Sequence, residues 1–227
     1  MRVGLLLVAL LAAPLGLVAQ TTVREVVERF DAAQAKADTF QAPFTLTIRR
    51  ALLKTPTVTK GTLYLKGSDF AHFAFSPPED LILHLTPKLL VSFNPHTGEG
   101  EELKIGIIRN ANRKFLGLGQ KLSYLGDYFQ IALTPDPQMP AAHHLTLSPR
   151  SFSMKRRFQM IHIWVDRDSW LPRQVQWIER GGDSWNLELG PMTVNQALPP
   201  SVNGFKVPAN TRLQEGFSFF ASSSRKK

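Results

Sequence analysis

The stretch "VQWIERGGDSWNLEL", residues 175–189, predicts two short strands that fold back on each other at a glycine pair. Val175 and Trp177 alternate with a polar residue before the glycines, and Trp185 and Leu187 do so after them. A period of two, with one apolar and one polar face, is typical of a half-buried antiparallel hairpin. The fold therefore depends on what the apolar face of this hairpin packs against.

The same alternation recurs along most of the chain and predicts about ten to twelve strands. The clearest strand patterns are "FTLTIRR" (44–50), "GTLYLK" (61–66), "FAHFAF" (70–75), "LILHL" (81–85), "LLVSF" (89–93), "FQIAL" (129–133), "HHLTLSP" (143–149), "QMIHIWV" (159–165) and "RQVQWI" (173–178). Helical spacing predicts one amphipathic helix over 22–38, with Thr22 as its N-cap, and one or two short helices within 111–126. The chain is therefore mainly β, with few helices.

A sheet of this size has more apolar surface than the predicted helices can cover. Strands lie about 4.8 Å apart, so a single sheet would be on the order of 50 Å across. Two helices, each about 10 Å wide, cannot cover one face of it. The sheet could split into a sandwich, close into a barrel, or remain a curled half-barrel whose inner face binds an apolar ligand. The pattern leaves all three open.

The first residues have the layout of a secretory signal peptide. Arg2 precedes an apolar run and helix breakers, and Ala19 is suited to the position before the cut. We expect a signal peptide over 1–19, export to the periplasm, and one domain over 20–227 with a polar basic tail from about 217.

The chain has 227 residues, no cysteine and a formal net charge of +9. Without disulfides, an exported protein of this length must gain its stability from a sizeable core. A covalent lipid on an N-terminal cysteine is also excluded. The net positive charge favours contact with anionic surfaces such as lipid headgroups. We therefore expect transient contact with a membrane surface. No nucleic-acid-binding module is recognised, so nucleic acid is not expected as a partner.

Several segments, in this order and spacing, resemble the LolA family of periplasmic lipoprotein carriers. They are "KGTLYLKGSDFAHFAFSPPED" (60–80), "VDRDSWLPRQVQW" (165–177), "GDSWNLEL" (182–189), "VNQAL" (194–198) and "FKVP" (205–208). The resemblance covers residues 23 to 208, although no single segment is diagnostic.

The resemblance implies an incomplete, half-open antiparallel β-barrel with a lid of two or three short helices over its mouth. It implies a monomeric chaperone that shields the acyl chains of lipoproteins in a hydrophobic cavity. Such a carrier takes its cargo from an inner-membrane ABC transporter and delivers it to an outer-membrane receptor. The receptor of this system has a similar fold but carries a lipid on a cysteine, so the lack of cysteine favours the soluble carrier.

The residues expected to line the cavity are large side chains on the predicted strand faces. They are Phe44, Leu46, Ile48, Leu63, Leu65, Phe73, Phe75, Trp164, Trp177, Trp185 and Leu187. The apolar residues expected to form the lid are Phe115, Leu116, Leu118, Leu122 and Leu125.

One position departs from the family. Well-studied carriers have an arginine after the lysine of the "LYLK"-type strand, which holds the empty cavity shut, and Gly67 stands at that position here. The family's gate therefore cannot be transferred, and His72 and Arg49 are the candidates for a replacement.

No motif indicates catalysis, a cofactor or a metal. The neighbours His143 and His144 would point to opposite faces of a strand and make a poor metal pair, and Asp166 with Asp168 suits a turn. There is no G-x-S-x-G motif and no cysteine nucleophile, so we do not expect an enzyme. Two alternatives to lipoprotein carriage stay open: a carrier of another amphiphile such as a phospholipid, and a lipid- or lipoprotein-sensing regulatory domain that acts through protein contacts.

Overall fold

The computed structural model describes residues 21–67, 69–104 and 121–216. Its strands are β1 (Thr39–Arg49), β2 (Thr57–Lys66), β3 (Phe70–Phe75), β4 (Ile82–Leu85), β5 (Leu89–Asn94), β6 (Glu99–Lys104), β7 (Phe129–Leu133), β8 (Ala142–Pro149), β9 (Phe158–Asp166), β10 (Pro172–Glu179), β11 (Ser184–Leu189), β12 (Thr193–Val194) and β13 (Arg212–Glu215). Its helices are α1 (Val23–Ala35), α2 (Leu122–Leu125), α3 (Phe152–Lys155) and α4 (Pro200–Asn203).

The thirteen strands found in the described residues belong to one sheet with the order β13-β6-β5-β4-β3-β2-β1-β11-β10-β9-β8-β7, and β12 pairs with β1 beside this path. Two meanders, β1 to β6 and β7 to β11, each consist of neighbours in the chain, and the antiparallel pairing of β1 with β11 joins them. β13 pairs with β6 in parallel, at one edge of the sheet. The expectation of a mainly β, open antiparallel barrel with few short helices is confirmed, with one more strand than the predicted upper count.

The hairpin predicted from residues 175–189 is present as β10 and β11. Trp177 lies directly opposite Trp185, and Val175 lies opposite Leu187. The turn requires a left-handed residue, which Gly182 supplies with φ of +88°. The side chains of Val175, Trp177, Trp185, Leu187 and Leu189 are buried on the same side of the sheet.

This side of the sheet, which we call the inner face, carries one continuous apolar cluster. Its side chains alternate along both meanders with polar side chains on the outer face. Because residues of distant strands bury each other in one cluster, the sheet curls around this face. The strand residues of the cluster are Phe40, Ala42, Phe44, Leu46, Ile48, Leu63, Leu65, Ala71, Phe73, Phe75, Leu83, Leu85, Leu90, Phe129, Leu145, Leu147, Phe158, Ile161, Ile163, Val165, Val175, Trp177, Trp185, Leu187 and Leu189.

Helix α1 packs its apolar stripe into this cluster. Thr22 caps the helix, because its hydroxyl accepts a hydrogen bond from the Glu25 amide at 3.2 Å. Val26, Phe30 and Gln34 follow at intervals of four residues and are all buried. The predicted helix over 22–38 therefore forms, although it ends at Ala35 with Lys36 as the C-cap. The expected signal peptide over 1–19 and the tail from 217 lie outside the described residues.

Candidate functional site

The inner face brings the predicted cavity residues together, with the exception of Trp164. Phe44, at its centre, makes edge-to-face contacts with Phe73 at 5.5 Å and Phe75 at 5.2 Å between ring centroids. Such contacts add about 0.5–1.5 kcal/mol each beyond area burial. The large side chains from β1, β2, β3, β10 and β11 thus form one apolar surface, as the alternation required.

The structure places Trp164 on the outer face. Ile163 and Val165 beside it belong to the inner cluster, so Trp164 points the other way. Its indole N–H donates to Asp136 Oδ2 at 2.8 Å, and its ring stacks on His144 at 4.4 Å. Trp164 is buried by these outer-face neighbours and does not join the inner face.

Several inner-face residues outside the predicted set lie on β8 and β9, strands from which that set took only Trp164. Leu145, Leu147, Ile161 and Ile163 are fully buried in the same cluster. The sequence contains the pattern that predicts their burial on one face, because the aliphatic residues occupy every second position in "HHLTLSP" and in "QMIHIWV". The apolar surface therefore continues across both meanders.

Part of the predicted lid lies over this surface. Leu122 and Leu125 of α2 are buried in the inner cluster. Asp31 of α1 ties the two helices together: its carboxylate accepts hydrogen bonds from the Leu122 amide at 2.6 Å and the Ser123 amide at 3.3 Å. A carboxylate at the start of a short helix satisfies amides that have no partner within the helix. The other predicted lid residues, Phe115, Leu116 and Leu118, lie outside the described residues.

Among the buried side-chain polar atoms of the described residues that have no hydrogen-bond partner, two donors bear on the inner face. They are Nε2 of Gln34, on the buried stripe of α1, and Nε1 of Trp177, on the inner face. Both side chains are at least nine-tenths buried. A buried donor without an acceptor costs about 1–3 kcal/mol. A ligand that brings a carbonyl oxygen to this surface would remove that cost.

The candidate gating residues, His72 and Arg49, both lie on the outer face. His72 alternates with the inner-face residues Ala71 and Phe73, and Arg49 follows the inner-face residue Ile48 and is exposed. Within the described residues, no hydrogen bond, ion pair or ring contact joins either residue to α1 or α2. Gly67 adopts φ of +45°, and a Cβ there would meet nothing within 4 Å.

His72 instead forms an aromatic cluster on the outer face. Its Nδ1 shares a hydrogen bond with Nδ1 of His84 at 3.0 Å. The ring of Phe205, which follows α4, covers both imidazoles at centroid distances of 5.1 Å and 4.8 Å. Burial lowers the pKa of His72 to about 4, helped by the charge that His84 would carry, and burial alone lowers the pKa of His84 to about 4.

We expect the melting temperature to fall as the pH drops from 6.5 toward about 4. The folded protein holds both imidazoles neutral, whereas the unfolded chain takes up protons near the ordinary histidine pKa, so acid favours unfolding. The stabilisation is complete above the unfolded pKa and disappears as the pH approaches the folded one. Thermal melts by circular dichroism at about pH 7.5 and about pH 5 measure the change. The double variant His72→Gln, His84→Gln should show a smaller drop, and an unchanged drop would contradict the assignment.

A metal site is not formed by the paired histidines. His143 stacks on Trp170 at 5.0 Å, whereas His144 stacks on Trp164, so the two rings lie on opposite faces of β8. Within residues 21–67, 69–104 and 121–216, no three His, Cys, Asp or Glu side chains come together as metal ligands. Among the helices of these ranges, none has the length and hydrophobicity that a transmembrane span requires.

The comparisons with known proteins concern the fold. No family model matches the chain, and no curated protein matches it. Among solved structures, an uncharacterized conserved protein from Thermus thermophilus matches with a TM-score of 0.51 and 12% identity, over 85% of this chain and 98% of that chain.

Two further matches have lower TM-scores. A LolA superfamily protein from Nitrosomonas europaea has a TM-score of 0.41 at 12% identity, over 81% of this chain and 97% of that chain. The MucA/MucB complex of Pseudomonas aeruginosa has a TM-score of 0.45 at 12% identity, over 82% of this chain and 61% of the matched chain. At 12% identity the likeness to these structures concerns the fold alone, and function depends on the chemistry of the inner face.

Proposed function

We propose that the protein is a periplasmic carrier that shields the acyl chains of lipoproteins against its inner face. It takes the lipoprotein from an ABC transporter in the inner membrane and delivers it to a receptor in the outer membrane. The observation that carries this proposal is the continuous apolar inner face, which spans both meanders of a curled, open sheet. Such a surface suits a long apolar ligand, and no catalytic group is needed for binding.

The donors of Gln34 and Trp177 support an acyl ligand that has carbonyl groups. Acyl chains of lipoproteins and phospholipids are attached through ester or amide linkages, whose carbonyl oxygens accept hydrogen bonds. An acceptor supplied by the ligand would satisfy Nε2 of Gln34 or Nε1 of Trp177 inside an apolar site. In a site where apolar burial provides most of the affinity, a few polar groups of this kind fix the orientation of the ligand.

Release requires competition for the inner face. Burial contributes about 0.8 kcal/mol per methylene, so one acyl chain of about sixteen carbons contributes on the order of 10 kcal/mol. Phe30 of α1 and Leu122 and Leu125 of α2 bury themselves in the same cluster. Helix burial therefore competes with acyl burial, which lowers the net affinity and permits delivery. Asp31 couples α1 to α2, so we expect them to move together.

Extraction from spheroplasts tests lipoprotein carriage. We expect the purified protein to release a triacylated lipoprotein from the inner membrane into a soluble one-to-one complex, which native mass spectrometry identifies. Trp177→Phe keeps an aromatic ring but removes the indole donor, and it should lower the extracted amount about fivefold, as loss of one hydrogen bond implies. Trp164→Phe makes the same change on the outer face and should extract as well as the parent protein.

Two outcomes would contradict the proposal. The first is a lipoprotein that stays in the membrane under conditions in which a known carrier releases it. The second is recovery of only phospholipid or another amphiphile in the complex, which would identify the alternative cargo class. Equal extraction by both tryptophan variants would remove the donor role of Trp177 without affecting the proposal of carriage itself.

A further inference from the structure

Three loops meet at one end of the sheet. The amide of Ala51 donates to Asp183 Oδ1 at 2.8 Å, and the guanidinium of Arg50 donates to Asp183 Oδ2 at 3.2 Å. The amide of Arg180 donates to the carbonyl oxygen of Arg157 at 3.0 Å. These bonds connect the β1–β2 loop (50–56), the β10–β11 turn (180–183) and the loop with α3 (150–157). We call the three loops together the basic rim.

The basic rim carries large apolar side chains in solvent. Leu52 is 77% exposed, Leu53 is 61% exposed, and Phe152 is 78% exposed. A single exposed apolar residue is ordinary on a protein surface, but a group at the tips of connected loops marks an interaction site. The β1–β2 loop and the β10–β11 turn are tied together by Asp183, which is only 1% exposed and accepts hydrogen bonds from both Arg50 and Ala51.

The same three loops carry exposed cations. Lys54, Lys155, Arg156 and Arg180 are all exposed. The guanidinium of Arg156 lies 5.9 Å from the ring centroid of Phe152, so charge and apolar surface are in direct contact there. The nearby carboxylate of Asp183 faces inward to Arg50 and does not offset the charge at the tips.

We propose that the basic rim binds the surface of a membrane that contains anionic phospholipids. Leu52, Leu53 and Phe152 enter the boundary between headgroups and acyl chains, and the cations contact lipid phosphates. This combination of protruding apolar side chains and flanking cations is the one by which proteins attach reversibly to anionic bilayers. The inference depends on the rim alone and stands whether or not the inner face carries a lipoprotein.

Flotation with intact vesicles tests the proposal. The probes are vesicles of phosphatidylcholine alone and vesicles with about 30% phosphatidylglycerol, the second of which has the negative surface potential that attracts cations. We expect the protein to float with the anionic vesicles and to remain in solution with the neutral ones. Added salt should weaken the binding, because it screens the cations.

Variants at the two ends of the sheet give matched controls. Leu52→Ser with Leu53→Ser should weaken binding to anionic vesicles at least about tenfold, because the apolar insertion is lost. Lys54→Ala and Lys155→Ala should each weaken it roughly fivefold. At the opposite end of β1, where Val194 pairs with Phe40, the changes Val194→Ser and Lys36→Ala should leave binding unchanged.

Melting temperatures close to the parent value would show that the variants are folded, as expected for exposed positions. Failure of the parent protein to float with anionic vesicles would overturn the proposal, as would equal losses from rim and control variants. Binding that is unaffected by both leucine changes and both lysine changes would also overturn it. Lipoprotein extraction is measured in a separate experiment. Failure of membrane binding by the basic rim can therefore be distinguished from failure of lipoprotein carriage by the inner face.

Discussion

Asp183→Ala is expected to lower the free energy of unfolding by about 3–5 kcal/mol, the usual cost of leaving one member of a buried ion pair without its partner. Asp183 is 1% exposed and accepts hydrogen bonds from both Arg50 and the amide of Ala51. The guanidinium of Arg50 also lies 5.1 Å from the ring centroid of Trp185, in a partly buried position. Removal of the carboxylate would therefore take this acceptor away from a partly buried cation and from a backbone amide.

Urea denaturation followed by circular dichroism measures this effect. Asp183→Asn keeps an acceptor for the Ala51 amide and should cost less than the alanine variant. The control is Asp168→Ala, in the exposed turn before β10, which should change the stability by about 0.5 kcal/mol or less. A loss of less than about 1 kcal/mol for Asp183→Ala would contradict the anchoring role.

Gly61→Val is expected to lower the free energy of unfolding by about 3 kcal/mol or more, because no volume is available for a side chain. A Cβ at Gly61 would clash with the carbonyl oxygen of Ala74 and lie 2.9 Å from the ring of Phe44. The carbonyl belongs to the ladder between β2 and β3, so it cannot move without loss of strand pairing. The ring of Phe44 is fixed by its contacts with Phe73 and Phe75.

The neighbouring residue supplies the control for this prediction. Thr62→Val places the same side chain one position along β2, on the outer face, where β-branched residues suit a strand. It should change the stability by about 0.5 kcal/mol or less. Equal stability of the two variants would show that the inner face at Gly61 is more loosely packed than the structure indicates.

Alternation alone was enough to predict the inner face, because a strand places every second side chain on the same side. The set of predicted cavity residues is wrong at Trp164, which was included for the size of its side chain and not for its position in the alternation. Ile161, Ile163 and Val165 share one parity and form the inner face, so Trp164 belongs to the other. The same alternation places Phe73 on the inner face and its neighbour His72 on the outer face. A tryptophan can be buried on either face when outer-face residues such as His144 and Asp136 cover it.

Other features depend on contacts between residues far apart in the chain. β6 reads "EGEELK" and was not predicted, because a strand near the sheet edge needs no apolar face. β13 is exposed along its whole length, and its parallel pairing with β6 has no local signature. Asp183 follows two glycines and suits a turn, so its buried bonds to Arg50 and Ala51 could not be read from its neighbours in sequence.

The pairing of β1 with β11 has a kinetic consequence. Strand neighbours within each meander are also neighbours in the chain, so their hairpins can form early, whereas β1 and β11 must find each other across more than half of the sequence. Contacts of such long separation slow the passage to the native state. Until β1 pairs with β11, each meander exposes the unpaired backbone groups of one of these strands. Newly synthesised chains would be most prone to self-association during that interval.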